Sequence, residues 1–546
     1  MRKYEQSGPL SVHAIAGAYV VLLGINMEED ASTGLLGFAI ERTEHGHGGG
    51  RMWLKALKVF PDVPAEPGPV STEDHPIQAF FWADYTTRYG HDYTYRVVAM
   101  RGAPGALEPG EEVSVRIATE GADDGTHAVY FNRGVAGSQA YTRKFGDHAP
   151  EDVPDRSAWR WLSRGLFRAM LDFIYRAQSP DWGLRIAAYE FQQGAVLGAI
   201  KRASERGADV KVVFDARNGG PVDDNREAIR EAGIEDLVIP RTVNSSAISH
   251  NKFIVLLYKG EPIEVWTGST NFTDGGIFGH SNCGHIVRDP EVARAYLDYW
   301  TELSTDPLFQ TLRPWNDASF SIPEGAPPVG TSVVFSPRGS LAALEWYADR
   351  MDAAETAVFL TAAFGVTDQF EEVLRNEKPY LRYVLLERKD EDMTALKAPR
   401  LNQVVAADIL RPNAFEGWLE RDWQEERLTD INTHVKYIHT KYMLLDPLGP
   451  DPVVITGSAN FSNASTNSND ENMLVIRGDT RVADLYLTEY MRLFNHFQFR
   501  YVARARRGED DAPVEGAYLA TTDAWKDRYY VEGTPKCLER LYFAGQ

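Results

Sequence analysis

Two histidines, two lysines and two asparagines recur along this chain at a single spacing. The first set is His250, Lys252 and Asn271, with Gly268-Ser269 just ahead of the asparagine. The second is His439, Lys441 and Asn460, with Gly457-Ser458 in the same place. In both sets His to Lys is 2 residues, Lys to Gly is 16 and His to Asn is 21. These residue types suit phosphodiester chemistry. Lysine supplies a point charge and asparagine an amide donor for the non-bridging oxygens of a phosphate. Histidine serves either as nucleophile or as the acid that protonates a leaving oxygen. Two copies allow one histidine for each task, so the pattern points to a duplicated domain whose halves each supply half of one active site.

The elements that must position these groups are legible nearby. Residues i and i+2 of a strand share a face, so each histidine and its lysine project together. Both pairs run into aliphatic stretches, Phe253–Leu257 and Tyr442–Asp446, that read as buried strands. Val265–Thr267 and Val453–Thr456 read as neighbouring strands ending in Gly-Ser turns, which carry each asparagine back beside its lysine.

On these residues the chain resembles the phospholipase D superfamily, whose signature is H-x-K-x4-D with a downstream G-S-x-N. The resemblance covers roughly residues 155–505. The second copy matches in full, with Asp446 at the aspartate position, whereas the first copy has Leu257 there. The family also places a glutamate eleven residues beyond the asparagine, where it orients the histidine. That offset gives Glu471 in the second copy and Asn282 in the first. Ser269, Ser458, Asp446, Glu471 and Asn282 are therefore the expected supporting residues around the catalytic His250, Lys252, Asn271, His439, Lys441 and Asn460.

The Glu/Asn difference suggests a division of roles. A carboxylate beside an imidazole favours the charged ring, whereas a neutral amide orients it without that bias. Pairing each histidine with the support of its own copy makes His439, beside Glu471, the general acid. It makes His250, beside Asn282, the nucleophile, in accord with the family's common use of the N-terminal histidine. The expected reaction is two displacements at phosphorus through a phosphohistidine, with no metal and no other cofactor.

Bulk properties narrow the setting. Lys plus Arg number 57 against 78 Asp plus Glu, a net charge of −21, which disfavours broad non-specific binding to nucleic acid or to anionic lipid. Only Cys283 and Cys537 are present, so no disulfide framework is expected and a reducing, cytoplasmic setting is the simpler reading. The apolar run Ala14–Ile25 is too short to span a membrane and reads as a buried strand.

The expected fold class is α/β: duplicated phospholipase D-like α-β-α lobes with mixed sheets, preceded by an N-terminal β-sandwich. Short alternating strands fill residues 1–150, the sandwich. Helix and strand then alternate through lobe 1 (151–313), beginning with a helix over Trp159–Tyr175, and again through lobe 2 (331–505). A Pro/Gly-rich linker (314–330) separates the lobes, and an aromatic C-terminal docking segment (506–546) follows. Glu190 and Thr361 are read as corresponding positions near the cleft, Glu190 as a candidate second-layer partner. His280, His285, His434 and the His45-Gly-His47 loop are read as structural or solvated.

Both motifs in one chain imply a monomer and, with the acidic balance, favour a phospholipid substrate. An endonuclease of the same superfamily is the first alternative. A scaffold whose first motif has decayed, as Leu257 and Asn282 suggest, is the second.

Overall fold

A computed structural model describes residues 1–46, 48–66, 68–121, 123–134, 139–146, 148–388, 393–407, 437–505 and 518–546. His47 and His434 lie outside the described residues.

The two lobes are built on matching mixed sheets. In the first, eight strands run in the order Asp123–Asp124, His127–Phe131, Cys283–Val287, Glu261–Gly268, Lys252–Tyr258, Trp182–Ala188, Asp209–Asp215 and Val238–Arg241. In the second, seven run Gly330–Ser336, Glu471–Arg477, Val453–Gly457, Tyr442–Leu445, Ala357–Ala362, Leu381–Leu386 and Asn402–Ala406. The last three strands of each sheet are parallel and the rest antiparallel. Both motif strands are covered on both faces: six consecutive residues of Lys252–Tyr258, KFIVLL, are buried. That is why they read as apolar runs without alternation.

The matching orders show that His127–Phe131 is the first-lobe counterpart of Gly330–Ser336. It lies inside the segment assigned to the N-terminal sandwich, yet it is hydrogen-bonded to Cys283–Val287 of the first-lobe sheet. A five-residue strand looks the same in either sheet, and only its distant pairing partner assigns it. The helix over Trp159–Tyr175 divides into Ser157–Ser163 and Leu166–Tyr175 at Arg164 and Gly165, whose φ values are 48° and 92°. The Arg164 guanidinium turns there to a buried ion pair with Glu489. The linker is shorter than its composition suggests, because Pro314 lies inside the helix Phe309–Ser319. A proline there removes one backbone hydrogen bond without ending the helix.

The lobes are held to each other by packing. Helix Pro290–Ser304 starts at Asp289, whose side chain accepts from the Glu291 amide at 2.8 Å, with Pro290 in the first turn. Helix Thr480–Ala505 is its second-lobe counterpart. Tyr296, Tyr299, Tyr486 and Tyr490 from these helices share one fully buried cluster with Phe253 of the first sheet and Phe359, Leu444 and Leu474 of the second. Burying each such side chain is worth about 1.5–3 kcal/mol, so the relative placement of the two sheets is over-determined.

The N-terminal unit is a sandwich of two four-stranded antiparallel sheets. The run Ala14–Ile25 forms parts of two strands, Leu10–Ala16 and Val21–Met27, that fold back through the Gly17–Val20 turn. The C-terminal segment packs on this sandwich. Trp525 Nε1 donates to the Leu35 carbonyl at 2.8 Å, and a Cβ on Gly24 would stand 2.0 Å from the Phe543 carbonyl. Among the described residues, no helix is long and apolar enough to cross a membrane.

Candidate active site

Both motifs lie at one junction between the lobes. The residues preceding His250 bridge to those preceding Glu471: the His250 amide donates to the Asp470 carbonyl at 2.9 Å, and the Asp470 amide to the Ile248 carbonyl at 2.9 Å. The pattern repeats with the lobes exchanged. The Ser281 amide donates to the Tyr437 carbonyl at 2.7 Å, and the His439 amide to the Ser281 carbonyl at 3.2 Å. Each lobe therefore presents its supporting residue to the other lobe's histidine.

This exchange corrects the pairing expected from the sequence. His250 Nδ1–H donates to both oxygens of Glu471 at 2.9 Å, and His439 Nδ1–H donates to Asn282 Oδ1 at 2.9 Å. The offset of eleven residues identifies the supporting residue but not the lobe it serves, which depends on how the sheets face each other. The two serines anchor the supports in their own lobes. Ser458 Oγ donates to Glu471 at 2.7 Å, and Ser269 Oγ donates to Asn282 Oδ1 at 2.8 Å. Ser465 Oγ adds a 3.0 Å bond to Glu471. The Asn282 amide is oriented by donation to the Gly276 carbonyl at 2.8 Å, which leaves its oxygen for Ser269 and His439. With Nδ1–H committed on both rings, each neutral histidine keeps its lone pair on Nε2.

The lysines complete the site. Each Nζ donates at 2.6 Å to the carbonyl of its own histidine, His250 for Lys252 and His439 for Lys441, using one of three donors. Burial pushes Lys252 down to about 8, and burial together with the neighbouring Lys252 holds Lys441 well below its ordinary value. His250 is pushed down to about 4 by burial, against the upward pull of Glu471. His439 has no carboxylate partner and is held well below its ordinary range by burial, then by Lys441 and His280. The expectation that His439 rests protonated is thus reversed. Asn271 Nδ2 donates to Glu190, while the buried side-chain oxygens of Asn271 and Asn460 have no partner.

Asp446 stands apart from this chemistry. It accepts from the amides of Thr356 at 2.6 Å and Ala357 at 3.0 Å and from Thr356 Oγ1 at 2.7 Å, clamping the start of the neighbouring strand. In the first lobe Leu257 is 5 % exposed and packs beside Gly183, so an apolar contact replaces the clamp. Its loss leaves the four basic groups untouched.

Sheet register also revises one correspondence. Lys252 pairs with Ala188, and Met443 with Leu360. Continuing that ladder sets Lys441 opposite Ala362, so Glu190 corresponds to Phe364 rather than Thr361. Thr361 Oγ1 instead donates to the Thr440 carbonyl at 2.9 Å inside the sheet. His280 accepts from the Asn282 amide through Nδ1 at 2.9 Å, and its ring centroid is 4.8 Å from that of His439. His285 lies in a buried chain with His127 and Tyr486. Two aromatic neighbours escaped the sequence reading: Tyr189, 4.9 Å from His250, and Phe364, 6.5 Å from His439, both as ring centroids. Aromatic residues are too common for a sequence signal. The network behind His250 escaped too, with Ser249 Oγ donating to Asp470 at 2.6 Å and Arg241 bound to the same carboxylate at 2.8 Å.

The family profile described as "Cardiolipin synthase, PLD-like domain" matches residues 170–303 and 387–494, which contain the two motifs. No curated protein matches the chain at a significant level. Among solved structures, phosphatidylserine synthase of Haemophilus influenzae Rd KW20 is similar at 13% identity and TM-score 0.42, over 62% of this chain and 85% of that one. Nuc of Salmonella typhimurium, a phospholipase D family member, is similar at 27% identity and TM-score 0.21, over 25% of this chain and 84% of that one. Yeast tyrosyl-DNA phosphodiesterase is similar at 11% identity and TM-score 0.31, over 56% of this chain and 85% of that one.

Proposed function

The chain belongs to the phospholipase D superfamily, and on that premise we propose that it hydrolyses a phosphodiester through a phosphohistidine on His250. The carrying observation is the pair of buried lysines flanking two histidines that each hold a free Nε2. A bound phosphodiester anion adds negative charge beside both lysines and His439. It favours the ammonium form of both lysines and raises His439, which takes up a proton from solvent.

His250 Nε2 attacks phosphorus while the bond to the leaving alkoxide breaks, and His439 gives that oxygen its proton. The ring of His250 gains positive charge as the N–P bond forms, and Glu471 stabilises it. This reverses the earlier reason for the same roles: the carboxylate favours the nucleophile, and the neutral Asn282 keeps His439 a ready acid. Water then attacks the phosphohistidine and passes a proton to His439, the N–P bond breaks, and a phosphomonoester leaves. His439 ends the cycle protonated. The lysines and the asparagine amides hold the equatorial oxygens throughout.

The test is turnover of bis(p-nitrophenyl) phosphate in chelator by the wild type, His250→Ala and His439→Ala. Trapping of an acid-labile phosphohistidine in the wild type supports the reading. Full activity in His250→Ala refutes it, and absence of turnover in the wild type supports a scaffold instead.

Two substrate classes follow. The acidic balance and the presence of both motifs in one chain support a phospholipid. A nucleic acid is favoured by a different observation, the exposed Phe364 beside His439. Head-group release from phosphatidylcholine vesicles, assayed beside nicking of single-stranded DNA, distinguishes them.

A further inference from the structure

The two sides of the cleft are unequal in their aromatic neighbours. On the His250 side, Tyr189 is half-buried, with Lys252 Nζ 5.3 Å from its ring centroid. On the His439 side, Phe364 follows the strand Ala357–Ala362 in a turn whose next residue, Gly365, has φ of 91°. That left-handed position suits glycine and holds the phenyl ring at the strand end. Lys441 Nζ lies 5.8 Å from the ring centroid, and the His439 ring meets it edge-on at 81°. Yet Phe364 is 65 % exposed, the most open of the described phenylalanines, beside a core in which the neighbouring Ala362 and Ala363 are each 5 % exposed. A large apolar side chain kept in water while touching both a histidine and a lysine of the site is poor packing but a good platform.

We infer that Phe364 is a specificity-determining residue that stacks on a planar aromatic group, aryl or nucleobase, carried by the leaving side of the phosphodiester. The inference rests on the proposed function, because the leaving side is defined by His439 acting as the acid. A ring face offered next to a phosphate-binding lysine is the arrangement by which proteins hold a base and its phosphate together. An aliphatic contact would need no planar surface.

The experiment compares methyl benzyl phosphate with methyl cyclohexylmethyl phosphate, whose leaving alcohols are alike in acidity but flat and puckered respectively. Turnover of bis(p-nitrophenyl) phosphate by the same preparation separately checks the underlying reading. The wild type is expected to release benzyl alcohol in preference to methanol. Its kcat/KM for the benzyl diester should exceed that for the cyclohexylmethyl diester by about 2- to 12-fold, the range of an aromatic pair. Phe364→Leu should bring that ratio to about one while leaving the cyclohexylmethyl value within about 2-fold. Phe364→Tyr, which keeps the ring, should retain the preference. A wild-type ratio near one, a preference for the puckered ring, or a ratio unchanged in Phe364→Leu overturns the inference. If the nitrophenyl diester is hydrolysed and the benzyl diester shows no flat-ring preference, the function stands and the platform falls.

Discussion

Removing the charge of Glu471 while keeping its shape tests the crossed arrangement of the lobes. In Glu471→Gln an amide oxygen can still accept from His250 Nδ1–H, so the tautomer is kept and the electrostatic contribution is isolated. Two unit charges 4 Å apart interact by about 4 kcal/mol at an effective dielectric of 20. The Nδ1 to carboxylate distance is 2.9 Å, but the charge gained by the ring during attack is partial and spread over both nitrogens. About half of that figure, ~2 kcal/mol, is therefore lost from the transition state, or roughly 30-fold in rate. The assay is the burst of p-nitrophenolate from bis(p-nitrophenyl) phosphate, whose leaving group needs no proton. It is run in a His439→Ala background, where the phosphohistidine forms and accumulates. There Glu471→Gln should slow the burst by about 30-fold, because the ring that gains charge in the attack is His250. Equal burst rates in His439→Ala and His439→Ala/Glu471→Gln would refute the reasoning, because they would mean that Glu471 serves the second histidine.

Three further outcomes are expected. Lys252 is held at about 8 by burial, so it loses its charge as pH rises through that value. Affinity for inorganic phosphate should therefore fall above about pH 8, and calorimetry in buffers of different ionisation enthalpy should show net proton uptake on binding. Asp446→Ala removes a carboxylate accepting three backbone amides, of Glu355, Thr356 and Ala357, and a hydroxyl, worth about 1.5–3 kcal/mol for charge-assisted bonds. Thermal unfolding should move down while kcat/KM per folded enzyme stays within about 2-fold, and a collapse of kcat/KM would place Asp446 in the chemistry. Leu257→Asp, which restores the signature in the first copy, should destabilise rather than activate, since it buries a carboxylate in a site 5 % exposed; a gain in rate would contradict that.

The spacing of the two motifs was legible because each occupies a strand, a turn and a returning strand whose lengths are set by the sheet. The six chemical residues and their serines were therefore identified by number, and the structure brings them to one junction. The same local regularity made the motif strands readable, as buried runs of β-branched and aliphatic residues. What local pattern cannot carry is the identity of a distant partner. His127–Phe131 looks like any short strand until Cys283–Val287 pairs with it. Phe364 gains meaning only from sheet register and from its place against His439.

Sequence alone thus determined which groups are the candidates for the chemistry and that they come in two copies, because covalent spacing and side-chain type are local properties. The association of the lobes decided whom each support serves, placing Glu471 on His250 and Asn282 on His439. That choice arises because the bridges at Ser249 and Ser281 join opposite lobes, and a contact between chain segments some 220 or 160 residues apart is set by the packing of two sheets about shared helices. The charges of the site follow from the same packing, since the burial that lowers both lysines exists only once the lobes close over them.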